Sequence, residues 1–205
     1  MIKRLIFDID DTLIMWKKEY DIAISKTLDE LKYPYTLELC EKIDKLELEY
    51  EKDRKNFSRQ YMLDFMNTNL DEPLPKNFID IWIKNLAYCV PEKEDESLFQ
   101  TLEYLYNRYE LIILTNWFEE SQKARLKRLN ILAYFKEFYG AEEYAKPYKE
   151  AFIQAMGKRK PEECAMIGDN INQDIQAAKK AGITKLVWVD NFNKKKEYME
   201  YYLLS

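Results

Sequence analysis

Four short apolar runs in this chain stop abruptly at polar groups, and their recurrence sets the expected fold. Leu5-Ile6-Phe7 ends at Asp8, Leu111-Ile112-Ile113-Leu114 at Thr115 and Asn116, Cys164-Ala165-Met166-Ile167 at Gly168 and Asp169, and Leu186-Val187-Trp188-Val189 at Asp190. Runs of this length, apolar at every position, read as parallel strands buried on both faces. Phe135 to Tyr139, closed by Gly140, supplies a fifth. Helical patterns lie between them at about 97–109, 119–130, 149–157 and 172–181, with Gly157 and Gly182 where helix C-termini favour glycine. Alternating strand and helix predicts an α/β fold with a parallel sheet, its polar groups collected at the carboxyl ends of the strands. Such edges bind ligands.

Residues 15–95 break the alternation. Apolar positions recur there at helical spacing: Trp16, Tyr20, Ile24, Leu28, Leu31; Leu39, Ile43, Leu46, Tyr50; Tyr61, Met62, Phe65; Phe78, Ile81, Trp82. Pro34, Pro73, Pro75 and Pro91 punctuate the series. This predicts an all-α insert leaving the core after the first strand, with 1–14 and 96–205 forming the core. Charge changes at the same place. The insert holds 13 basic and 18 acidic residues, whereas the remainder holds 19 of each, so the whole net charge of −5 lies in the insert. An acidic surface without a basic stripe is a poor partner for nucleic acid.

Composition narrows the chemistry further. Hydrophobic residues make up 47% and charged residues 34%, as in a soluble globular protein. No run approaches the ~20 apolar residues of a membrane span, and the three apolar residues before Asp8 are too few for a signal-peptide core, so a cytoplasmic protein is expected. Cys40, Cys89 and Cys164 lie far apart, which disfavours a disulfide framework. Histidine is absent. That removes Ser/His/Asp and Cys/His nucleophile systems and every His-ligated metal site, leaving acid–base work to Asp, Glu, Lys, Tyr or Cys. Carboxylate-only sites suit hard Mg²⁺ or Ca²⁺.

Within Leu5-Ile6-Phe7-Asp8-Ile9-Asp10-Asp11-Thr12-Leu13, two carboxylates one residue apart leave the end of a buried strand. Side chains i and i+2 of a strand share a face. A buried carboxylate without a cation or hydrogen bonds costs several kcal/mol, so packing gives no reason for the pair. Other candidates have plainer readings when taken singly: Thr115 as a helix cap, Lys146 as a solvated lysine beside a turn proline, Asp174 as a favourable charge near a helix N-terminus. Asp11 reads as turn chemistry and Asp190 as a strand-end loop acid.

Taken together and in order, Asp8-Ile9-Asp10-Asp11-Thr12-Leu13, Thr115-Asn116, Lys146-Pro147, and Gly168-Asp169-Asn170 through Asp174 with Ala177, Ala178, Ala181 and Gly182 resemble the four motifs of the haloacid dehalogenase superfamily, chiefly its phosphatases. The resemblance implies a Rossmann-like three-layer core with an all-α cap at 15–95. It implies Mg²⁺-dependent hydrolysis of a small phosphate monoester, such as a nucleotide or sugar phosphate, through an aspartyl-phosphate. Asp8 is then the nucleophile and Asp10 the general acid and base. Mg²⁺ is held by Asp8, Asp169 and the backbone carbonyl of Asp10, with Asp174 completing the outer acid set. Thr115 and Asn116 bind phosphate, and Lys146 offsets its charge. Trp16, Tyr20, Arg54, Arg59, Trp117 and Phe118 are within expected reach of the site, though helical spacing favours packing for Trp16 and Tyr20. Three other readings stay open. A dehalogenase needs neither Asp10 nor Asp169; a phosphosugar mutase shares the phosphoryl chemistry; and a signalling receiver domain also forms an aspartyl-phosphate but has no insert after its first strand.

Overall fold

All five apolar runs form strands in the computed structural model, which describes residues 1–14, 19–52, 54–91, 96–190 and 201–204. The strands are β1 (Arg4–Phe7), β2 (Glu110–Leu114), β3 (Glu137–Tyr139), β4 (Cys164–Gly168) and β5 (Lys185–Val189). They pair in parallel in the order β3-β2-β1-β4-β5, which puts β1 at the centre. A further strand, β6 (Tyr201–Leu204), runs antiparallel to β5 at the edge and was not anticipated from the sequence. Register explains why Leu5, Ile6 and Phe7 of β1 are apolar. Ile6 stands opposite Ile112 and Met166 on one face, while Leu5 and Phe7 align with Leu111, Ile113, Ala165 and Ile167 on the other.

Between β1 and the rest of the sheet come α1 (Glu19–Glu30), α2 (Leu37–Lys52), α3 (Arg59–Asn69) and α4 (Phe78–Leu86). Their inward positions follow the helical period: Ile24 and Leu28, then Ile43, Leu46 and Tyr50, then Phe78 and Trp82 are buried in one cluster. Tyr61 departs from the expected stripe and is 65% exposed. It lies in the first turn of α3, where Ser58 caps its backbone N–H, and Met62, Leu63 and Met66 carry the buried face instead. Residues 15–18, Trp16 among them, and 92–95 lie outside the described residues.

The helical cluster also contains Trp117, Phe118, Ala141 and Ala145, which come from loops at the carboxyl ends of β2 and β3. Backbone bonds reinforce that seam: Phe57 N–H donates to Ala141 O and Ala145 N–H to Lys55 O, each at 2.7 Å. The helices are thus anchored over the strand ends where the polar groups gather. Sheet faces are covered by α5 (Glu96–Tyr106) and α6 (Glu119–Arg128) on one side, and by α7 (Lys149–Met156) and α8 (Ala177–Lys180) on the other, giving three layers. The expected helix at 172–181 is in fact a π-helical stretch, 171–176, leading into α8. At the opposite end of the sheet the buried Arg4 guanidinium donates to Glu110, Glu137 and Ala155 O. No helix among the described residues is long and apolar enough to cross a membrane.

Candidate active site

The turn after β1 is built on one carbonyl. Ile9 O accepts from the N–H groups of Thr12, Leu13 and Ile14 at 3.2, 2.8 and 2.9 Å, curling the chain back as soon as it leaves the sheet. Asp8 N–H still donates to Ile167 O, so Asp8 continues the pairing with β4. Asp11 takes the left-handed conformation at φ 56°, which aspartate tolerates. The result is that Asp8 and Asp10 both face one cavity of about 300 Å³, bounded by the strand ends on one side and by α2 on the other.

Asp8 is buried and fully engaged. Its Oδ2 accepts from Thr12 Oγ1 at 3.3 Å and its Oδ1 from Lys146 Nζ at 2.7 Å. The same ammonium donates to Asp174 Oδ1 at 2.5 Å. Lys146 is itself set in place by Asn116, whose Oδ1 accepts the Lys146 N–H at 2.7 Å and whose Nδ2 donates to Lys146 O at 2.9 Å. The Asn116 side chain, expected to bind phosphate, is therefore occupied in clamping Lys146. Thr115 is buried at the end of β2, its Oγ1 accepting from Gln122 Nε2 at 3.0 Å.

After β4, Asn170 Oδ1 caps the π-helical stretch by accepting from the N–H groups of Asn172 and Gln173, each at 3.0 Å. The wide turn directs Asp174 inward, where its Oδ2 accepts from Asn170 N–H at 3.0 Å. Gly168 makes this approach possible, since a Cβ there would collide with the Asp174 side chain down to its own Cβ. Trp188 Nε1 donates to the carbonyl of Asp169 at 2.8 Å and steadies the residue between.

Carboxylate oxygens of Asp8, Asp169 and Asp174 lie within 4.8 Å of one another. Asp174, expected outside the metal-ligand set, stands in the same triad, while the Asp10 carboxylate turns towards α6. Crowding has the consequence that elementary electrostatics demands. Burial, reinforced by Asp174, Asp169 and Asp10, raises the Asp8 carboxyl well above its ordinary range against the pull of Lys146. Burial and then Asp174 push Asp169 up to about 6. Burial works against the Lys146 charge, but Asp174 and Asp8 overcome it and hold the ammonium above its usual range. An all-oxygen, multiply anionic donor set fits a hard divalent cation such as Mg²⁺, which relieves this repulsion.

Some neighbours of the site were not singled out from the sequence. Gln122 and Arg125 hold both oxygens of Asp10 from α6, at 2.7 and 2.6 Å. They interrupt the buried stripe of Phe118, Leu126 and Leu129, which was the available signal. From α2, Glu47 and Glu51 line the cavity one turn apart and are hydrogen-bonded to each other. Burial pushes Glu51 up to about 7, with a further contribution from Asp10. Of the residues expected to reach the site, Trp117 lines the cavity but is locked in an aromatic cluster with Phe57, Trp82 and Phe118. Arg54 lies over the rings of Tyr50 and Phe65, and Arg59 pairs with Asp80 and Glu120. The side chain of Tyr20 lies outside the described residues.

Comparison with known proteins gives the family. The phosphoglycolate phosphatase of Aquifex aeolicus is 29% identical over 189 residues, spanning 87% of this chain and 80% of the relative. The glyceraldehyde 3-phosphate phosphatase of Methanothermobacter thermautotrophicus is 26% identical over 195 residues, spanning 91% and 85%. In fold, the magnesium-bound HAD-hydrolase YfnB of Bacillus subtilis superposes with a TM-score of 0.72 at 20% identity, over 94% of this chain and 91% of that one. The model of the haloacid dehalogenase-like hydrolases matches residues 2–182, and with the ordered carboxylates, threonine and lysine at the strand ends the chain belongs to that family.

Proposed function

We propose that the chain is a Mg²⁺-dependent phosphatase that hydrolyses a small phosphate monoester through an aspartyl-phosphate on Asp8. The observation that carries this is the buried Asp8 carboxylate, hydrogen-bonded to Lys146, with the Asp10 carboxyl facing the same cavity. Asp8 attacks phosphorus; the ester P–O bond breaks, its electron pair stays on the leaving oxygen, and that oxygen takes a proton from Asp10. Water then attacks the aspartyl-phosphate, giving its proton to Asp10 and releasing inorganic phosphate with the Asp8 carboxylate restored. Thr115 and Lys146 stabilise the transferring phosphoryl oxygens. Asp8, Asp169 and Asp174 would hold Mg²⁺, with the backbone of Asp10 as a further ligand. When bound, the ion supplies positive charge against the phosphoryl group and the crowded acids.

Residues 15–95 serve as the cap over the leaving group. The small cavity and the names of the two phosphatase relatives support a small phosphorylated metabolite as substrate. Asp10 and Asp169 favour this reading over carbon–halogen displacement, which uses neither a proton donor nor a metal. The test is a panel of small phosphate esters scored for released phosphate, with and without Mg²⁺. Phosphate release that stops on chelation and returns with Mg²⁺ is expected. Turnover undiminished by exhaustive chelation, isomerisation of a sugar phosphate without phosphate release, or a stable phosphoprotein that never turns over would each overturn it.

A further inference from the structure

We infer that Gln122 and Arg125 are positioning residues for Asp10, fixing its carboxyl relative to the phosphoryl-binding hydroxyl of Thr115. The inference rests on the phosphatase reading above and deepens it. The two side chains sit one turn apart on α6, 1% and 5% exposed. Gln122 Nε2 donates to Asp10 Oδ2 at 2.7 Å and to Thr115 Oγ1 at 3.0 Å. Arg125 Nη1 donates to Asp10 Oδ1 at 2.6 Å and to Gln122 Oε1 at 2.7 Å. Arg125 Nε donates to Cys89 O at 2.7 Å, just beyond α4 on the strand of chain returning from the helices. Both oxygens of Asp10 are therefore tied to one rigid helix, and that helix is tied to the exit of the helical segment.

Stability alone is a weak reason for this arrangement. Burying the Arg125 guanidinium costs desolvation that a half-buried carboxylate often fails to repay, and an apolar residue at either position would continue the stripe of Phe118 and Leu126. Orientation is a better reason. A carboxylate offers about four lone-pair directions; two are used by α6, which leaves the cavity-facing side of Asp10 for the leaving oxygen and, later, water. Gln122 bridges the group that serves the ester oxygen and the group that serves the non-bridging oxygens. Their spacing is then set before substrate arrives, and such alignment strongly affects rate.

The test uses the full chain loaded with Mg²⁺ and compares Gln122→Leu, Asp10→Asn and the double variant on p-nitrophenyl phosphate and glycerol phosphate. Gln122→Leu should lower kcat for the alkyl ester by about 10²-fold, the lower range for a positioned proton donor, with KM little changed. The p-nitrophenol burst from the aryl ester, whose leaving group needs no proton, should persist. In the Asp10→Asn background Gln122→Leu should cost far less than in the parent, because its main action is through the group already removed and only its bond to Thr115 is left to lose. Arg125→Lys, which keeps the buried charge but loses the fork, should give the same alkyl-over-aryl pattern and provides the reading if Gln122→Leu does not fold. Losses equal for both esters, or fully additive with Asp10→Asn, would show a merely structural role and overturn the inference. If Asp10→Asn itself shows no difference between the esters, the acid–base assignment fails first and this inference falls with it.

Discussion

Lys146 donates to Asp8 at 2.7 Å from a position 138 residues further along the chain, and both side chains are buried. Asp174 shares the ammonium, so one cation serves two carboxylates. Lys146→Met should accordingly leave two buried acids without their counter-charge. Breaking such a pair costs about 3–5 kcal/mol. In the metal-free protein at pH 8 the loss should approach that range, and at pH 5 it should shrink as Asp8, whose carboxyl burial and the neighbouring acids hold well above its ordinary range, takes up a proton. Urea unfolding at the two pH values, repeated with Mg²⁺, checks this; equal losses at both would show that Lys146 contributes packing rather than charge.

Asp8→Asn makes the opposite change. It removes one of the crowded acids, whose carboxyl is already raised by burial and by its neighbours. Folding stability should stay within about 1 kcal/mol of the parent or rise, while turnover falls by about 10⁴-fold or more, as for other lost nucleophiles. Phosphate release and thermal melting on the same sample decide it. Substantial residual activity would remove Asp8 as the nucleophile.

The parts of this molecule that obey a short-range rule were legible in the sequence. β1, β2, β4 and β5 each carry an apolar run because the sheet is covered on both faces, and each run stops where the carboxyl edge begins. Asp8, Thr115 and Asp169 could be named because they sit at those stops, whereas Lys146 in a loop and Asp174 in the π-helical stretch were named only through the order of the motifs. What was missed depends on tertiary register. Gln122 and Arg125 lie on α6 beyond the strand end, and only the fold brings them to Asp10. Glu47 and Glu51 belong to a helix whose orientation over the cavity no local pattern encodes. Asn116 was seen, but its clamp on Lys146 joins residues 30 apart. The π-helical stretch at 171–176 was read as an ordinary helix because six residues are too short for the wider i→i+5 turn to show in the apolar spacing.

Gly168→Ala tests the close packing behind the metal-ligand triad. The added methyl would meet Asp174 along its whole side chain, so Asp174 cannot yield by rotating its carboxylate alone. Overpacking of this kind costs about 1–3 kcal/mol. Asp174 should be displaced, weakening its bond to Lys146 and the response of the protein to Mg²⁺. The measurement is the rise in melting temperature on adding Mg²⁺, compared between Gly168→Ala and the parent; an unchanged rise would mean that the triad tolerates the shift.

Glu51 gives the pH dependence a definite sign. Burial is the main cause that pushes its carboxyl up to about 7 from an ordinary value of 4.5. A raised acid favours the protonated folded state. Below about pH 4.5 folded and unfolded chains both hold the proton, and Glu51 contributes no pH dependence. As pH rises towards 7 the unfolded chain ionises first and gains stability, so the folded protein loses ground; above 7 the penalty is complete and constant. Glu51→Gln removes the titration, and its stability relative to the parent should therefore climb between pH 4.5 and 7 and then level off. The total change is on the order of 3 kcal/mol. Urea midpoints of both proteins, taken with chelator present, isolate this residue because the titrations of Asp8 and Asp169 are common to the two curves. Parallel curves across that window would mean that Glu51 is solvated, and that α2 leaves the cavity open to water.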